Sequence, residues 1–160
     1  MIPLIEPAHP YLTQKKRILF VCSGNASRSQ MAEGWTRALF GTRVEVLSAG
    51  VEAHGLDPYA VSVMAERGVD ISKYRSKVLD TFACTHADLI VTLSDRAASH
   101  LRALRLAQPV IHIPCPSPAK RMRIGEPSLS HYRALRDEIH DAVRRLVLGQ
   151  TETHQPAVAV

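Results

Sequence analysis

Ile18-Leu-Phe-Val21-Cys22-Ser-Gly-Asn-Ala-Ser-Arg28-Ser29 is the stretch on which the reading of this chain turns. Its first four residues are a short apolar run rich in strand formers, the pattern of a strand buried on both faces. Ser23 to Ser27 are small and polar. From Arg28 to Phe40 the residues Met31, Ala32, Trp35, Ala38 and Leu39 recur at helical spacing, and Gly41 is a natural stop. The order is therefore strand, tight loop, helix.

Outward from that unit the alternation continues. Val44 to Leu47 reads as a second strand, and Pro58 opens a helix through Glu66 that Gly68 closes. Asp88 to Leu93 is a third strand, followed by a helix from Asp95 to Leu106, and Val110 to Ile113 a fourth. Pro114, Pro116 and Pro118 make the next segment a loop. The last helix runs from Ser130 to Leu148, with Tyr132, Leu135, Ile139, Ala142 and Leu146 as its buried stripe. Alternating strands and helices imply an α/β chain with a four-stranded parallel sheet, doubly wound and flavodoxin-like, with helices on both faces. Ligands in such sheets bind at the carboxyl ends of strands, and the first strand ends at Cys22. The expected organisation is an irregular extension over 1–14, one domain over 15–149 and a flexible tail over 150–160.

The spacing of Cys22, five residues, Arg28 and Ser29 points to an oxyanion site. A loop that bends around an anion points successive backbone N–H groups inward, so Ser23, Gly24, Asn25, Ala26, Ser27 and Arg28 form the expected cradle. Gly24 and Asn25 accommodate the backbone angles this needs. The helix beginning near Arg28 adds its positive end, and the Arg28 guanidinium can hold two oxygens of a tetrahedral anion. The same dipoles favour a thiolate at Cys22, to which Ser29 can donate a hydrogen bond. The sum is a nucleophile aimed at the central atom of a bound oxyanion. The other phosphate-loop patterns, Gly-x-x-x-x-Gly-Lys-Ser/Thr and Gly-x-Gly-x-x-Gly, are absent.

Bulk properties narrow the classes. With 160 residues, 46% hydrophobic and 22% charged, the composition is that of an ordinary globular domain. No apolar run reaches the roughly 18 residues of a membrane span, and Met1 to Pro10 lack the pattern of a secretory signal, so the cytoplasm is expected. Cys22, Cys84 and Cys115 include no Cys-x-x-Cys pair, and His112-x-x-Cys115 alone is too little for a metal, so neither metal nor cofactor is expected. The net charge of +5 suits an anionic partner, but the chain carries no nucleic-acid motif.

At these residues the chain resembles the low-molecular-weight protein tyrosine phosphatase superfamily, and within it the thioredoxin-coupled arsenate reductases. The matching stretches are Val21 to Trp35, Ser48-Ala-Gly50, His54-Gly-Leu-Asp-Pro58, Gly68 to Ser72, Ser76, Asp88 to Leu93 and Arg136-Asp-Glu-Ile139. The resemblance implies that Cys22 is the nucleophile, Arg28 the oxyanion clamp, Ser29 the residue that tunes the thiolate and Asn25 the organiser of the loop. It implies arsenate, phosphate or a phosphorylated substrate as partner, with a thiol reductant such as thioredoxin, glutaredoxin or a small thiol.

The chain departs from that pattern in its supporting residues. The family's second cysteine is replaced by Ser94, and no cysteine follows between Ser94 and Ala107 for the third. Ser117 stands where the general-acid Asp belongs, and a positioned acid is worth about 10²–10⁴ in rate. Cys115, on the proline loop, is a candidate substitute for the resolving thiol, and Cys84 reads as a core residue. His54 is expected near the site mouth, and Lys120, Arg121 and Arg123 form a small basic run. Three functions compete: arsenate reductase, phosphatase, and an oxyanion-binding or regulatory protein without turnover.

Overall fold

The computed structural model describes residues 16–118 and 129–149. The expected extension, tail and basic run at Lys120, Arg121 and Arg123 lie outside the described residues. Strand β1 spans Lys16–Cys22, β2 Val44–Gly50, β3 Leu89–Thr92 and β4 Val110–His112. They form one parallel sheet in the order β2-β1-β3-β4. Helices α1 (Arg28–Phe40), α2 (Pro58–Ala65), α3 (Thr81–His86), α4 (Asp95–Leu104) and α5 (Leu129–Val147) connect or follow the strands. This is the α/β architecture expected from the sequence.

The period-two alternation of β1 divides the core. Ile18, Phe20 and Cys22 face one layer, where Met31, Trp35, Met64, Leu135 and Ile139 of α1, α2 and α5 pack. Leu19 and Val21 face the other, against Cys84, Ala97 and Leu101 of α3 and α4. Burying one such side chain contributes about 1.5–3 kcal/mol, so a central strand apolar on both faces anchors both layers. Across the first layer, Trp35 Nε1 donates to the carbonyl of Arg136 at 3.1 Å. The guanidinium of Arg136, almost wholly buried, bonds Val63 O, Glu66 and Asp137. Those partners offset the cost of burying its charge.

Helix α3 is the α-helix the sequence reading lacks. It has six residues, too few for an apolar period to show. Its start is nonetheless encoded: Asp80 Oδ1 accepts from Ala83 N–H at 2.7 Å. The elements otherwise lie where periodicity puts them, with small displacements at their ends. The third strand stops at Thr92 instead of Leu93, and α4 stops at Leu104 because Arg105 adopts a left-handed conformation (φ 49°).

The sheet order fixes the position of the site. The chain leaves β1 to form β2 on one side and later β3 on the other, so β1 lies at the reversal of strand order. Cys22 is the last residue of β1, paired in register with Gly50, the last of β2.

Candidate functional site

The loop from Cys22 to Ser27 is held open by bonds to the chain that follows β2. Val51 N–H donates to Cys22 O at 3.0 Å, Glu52 to Ser23 O at 2.9 Å, His54 to Gly24 O at 2.9 Å and Asp57 to Ala26 O at 3.0 Å. Ser76 Oγ adds a second bond to Gly24 O at 3.1 Å. In a planar trans peptide, a carbonyl turned one way turns the next N–H the other way. The N–H groups of Ser23, Gly24, Asn25 and Ser27 therefore point away from this zipper, the arrangement an anion nest requires.

Asn25 is fully buried and left-handed, at φ 46°. Its side chain offsets that strain. Asn25 Nδ2 donates to Ser29 Oγ at 2.8 Å and to Ser48 Oγ at 3.0 Å, and its Oδ1 accepts from Lys77 N–H at 2.8 Å and Gln30 Nε2 at 2.9 Å. Gly24 serves a different purpose from the one sequence reasoning gives it. Its φ is not positive; what it supplies is space, since a Cβ there would overlap the His54 ring. Gly50, which sequence reading does not single out as a packing position, is tighter still. A Cβ there would stand 2.6 Å from Asn25 N and overlap Glu52 O.

Cys22 is buried, and its Sγ lies 2.9 Å from Ser29 Oγ. Arg28, in the first turn of α1, directs Nη1 to the carbonyl of Cys115 at 3.1 Å, linking the loop to the proline segment after β4. Ser94, at the end of β3, caps α4 by accepting from Ala97 N–H at 3.2 Å and receives a bond from Ser23 Oγ at 3.0 Å. Ser29 and Asn25 thus converge on the end of β1, while Arg28 reaches across to the proline segment.

The end of β1 opens on a cavity of about 660 Å³, bounded by Cys22 to Gly24, Ala26 to Arg28, Leu93 to Arg96 and Pro114 to Pro118. Cys115 and Ser117 both line it, as does His54. Two further wall residues are not among the site residues expected from the sequence. Asp57 caps α2 through Tyr59 N–H at 2.9 Å, while its other carboxylate oxygen accepts from Tyr132 Oη at 2.7 Å. Tyr132 comes from α5, 75 positions away, where it reads only as core. Burial, with Asp57 beside it, pushes the Tyr132 hydroxyl well above the ordinary phenol range. Glu52 joins two of the lining residues, Arg96 at 2.6 Å and His54 at 2.7 Å, and these partners hold its carboxyl down at about 2.

Cys84 does not line this cavity; it is buried in α3 in the layer of Leu19 and Val21, where burial pushes its thiol up. Among the described residues no group of three or more His, Cys, Asp or Glu side chains is placed to hold a metal ion. None of their helices is long and apolar enough to cross a membrane.

Residues 17–155 match the model of the low molecular weight phosphotyrosine protein phosphatase family. The chain belongs to this family. It is 42% identical over 130 residues to an arsenate reductase of Halalkalibacterium halodurans, covering 81% of this chain and 94% of that protein. Its fold is similar to that of a YwlE mutant from Bacillus subtilis, with a TM-score of 0.73 and 27% identity over 86% of this chain and all of the other. It is also similar to an arsenate reductase in the phosphate binding state, with a TM-score of 0.69 and 26% identity over 85% and 99% of the two chains.

Proposed function

We propose that this protein is an arsenate reductase of the low molecular weight phosphatase family in which Cys22 is the nucleophile. The observation that carries the reading is the chain of contacts from Asn25 through Ser29 to Cys22, which lines a cavity shared with Arg28 and Cys115. The 42% identity to an arsenate reductase supports the choice of reaction.

Arsenate enters as a monoanion and is held by the loop N–H groups and by Arg28. The Cys22 sulfur attacks arsenic, an S–As bond forms, and one arsenic-bound oxygen leaves as water. A second thiol then attacks the Cys22 sulfur. The S–As bond breaks with its electron pair passing to arsenic, arsenite departs, and a disulfide remains at Cys22. Two thiols are oxidised and arsenic(V) is reduced to arsenic(III). Ser94 cannot be the second thiol, so Cys115 or an external thiol serves, and a reductant of the thioredoxin, glutaredoxin or small-thiol class regenerates the protein.

The test is release of arsenite from arsenate with each of these three reductants. Activity is expected with at least one, and Cys22→Ser abolishes it. Cys115→Ser separates the two routes: activity is lost if Cys115 resolves the adduct and retained if an external thiol does. Silence with every reductant refutes the reading.

A second reading, hydrolysis of phosphate esters, is favoured by the cavity, which is far larger than one tetrahedral oxyanion. It predicts phosphate release from an aryl phosphate without any thiol, again lost in Cys22→Ser.

A further inference from the structure

We propose that Asp57 is the proton-transfer residue of this site, in place of an acid on the proline loop. The assignment rests on the nucleophilic reading of Cys22. Attack at arsenic or phosphorus expels an oxygen that departs poorly as a bare anion. Among the described residues of the proline loop no carboxylate lines the cavity; Ser117 stands at the acid position, and a serine hydroxyl has no useful acidity.

Among the described residues, the cavity wall holds two carboxylates, Asp57 and Asp95. The Asp95 side chain is 96% exposed and bonds His112 Nε2 at 3.1 Å on the outer surface of α4. Asp57 is half-buried, and its backbone N–H is tied to the oxyanion loop itself through Ala26 O at 3.0 Å. Its Oδ2 is aimed by the buried hydroxyl of Tyr132, which lines the same cavity. One oxygen caps α2 and the other is directed by an element from the far end of the chain. A capping role alone needs only the first.

The proton balance works with a carboxylate. A monoanionic substrate, arsenate or a phosphate monoester, carries at least one acidic hydroxyl. Asp57 takes that proton and returns it to the departing oxygen. Thiolate plus monoanion becomes a dianionic Cys22 adduct plus water, or plus an alcohol from an ester. No further reactant is required.

Asp57→Asn is the informative variant, because Asn is as good a helix cap as Asp and leaves the fold of α2 supported. Initial rates are measured for arsenate reduction and for a series of aryl phosphates from good to poor leaving groups, with inorganic phosphate binding followed by calorimetry. D57N is expected to bind phosphate and to slow arsenate reduction and the poorest ester by about 10²-fold, while the best leaving group changes little. D57E is expected to recover part of the loss, and Ser117→Ala to keep the native dependence on leaving group. An equal rate for D57N and the native protein across the series overturns the assignment. A uniform loss accompanied by lost phosphate binding also overturns it, since that marks a structural role. A native protein silent on every substrate overturns the nucleophilic reading as well.

Discussion

Ser29 Oγ stands 2.9 Å from Cys22 Sγ and 2.8 Å from Asn25 Nδ2. An amide nitrogen can only donate, so Asn25 fills an acceptor position on the Ser29 oxygen and leaves the serine proton for the sulfur. The serine is thereby oriented by its neighbour, and Ser48 holds that neighbour in turn at 3.0 Å. A hydrogen bond to a charged acceptor is worth about 1.5–3 kcal/mol, or roughly 10- to 150-fold in a rate that depends on it. Ser29→Ala is therefore expected to slow alkylation of Cys22 by iodoacetamide at neutral pH by at least about tenfold. Unchanged kinetics would show that this contact does not support the thiolate.

The two glycines at the loop differ in what they touch. At Gly24 an added methyl meets the ring of His54, whose side chain is half exposed and can swing away at the cost of its contact with Glu52. At Gly50 the methyl meets backbone on both sides. Gly50→Ala is expected to cost about 1–3 kcal/mol of stability and to abolish phosphate binding. Gly24→Ala is expected to be milder and to be rescued by His54→Ala. Denaturant midpoints for the four members of that double-mutant cycle give the coupling directly. Additive single effects would contradict the crowding of position 24 against the His54 ring.

Glu66 accepts from Arg133 at 2.8 Å and from Arg136 at 2.9 Å, and these partners hold its carboxyl down at about 2. An unfolded Glu titrates near about 4.3. Because the folded value is the lower one, the stabilisation is complete above that pH and disappears as pH falls toward 2. Glu66→Gln is accordingly expected to lower the urea midpoint at pH 7 and to flatten its decline between pH 5 and pH 2.5. A decline as steep as in the native protein would place the acid sensitivity elsewhere.

The fold is readable because strands such as Ile18 to Val21 are apolar on both faces and because Gly and Pro punctuate the helices. Helix α3 escapes because Thr81 to His86 is shorter than two turns and its signal is one capping aspartate. Within the site, the loop residues are consecutive in sequence and the chemistry of each is local. Asp57 and Tyr132 are not: one reads as a helix cap and the other as a core aromatic, and only folding brings them within 2.7 Å. Gly24 shows a third kind of difficulty. A glycine in a phosphate-type loop suggests backbone freedom, whereas here the requirement is room for a histidine from the segment after β2.

The zipper between the Cys22 loop and residues 51–57 ties the candidate site to the order of folding. Each of its four bonds joins segments about thirty residues apart, so the loop acquires its shape only once β2 has docked on β1. The unfolded chain therefore carries no preformed cradle, and an anion that fits it binds the native state alone. Inorganic phosphate at a hundred times its dissociation constant is then expected to add about 2.7 kcal/mol to the stability of the whole domain. In a phosphate-rich solution this protein would be held together partly by an ion it does not consume. A melting temperature indifferent to phosphate would mean that the cradle is not a binding site for it.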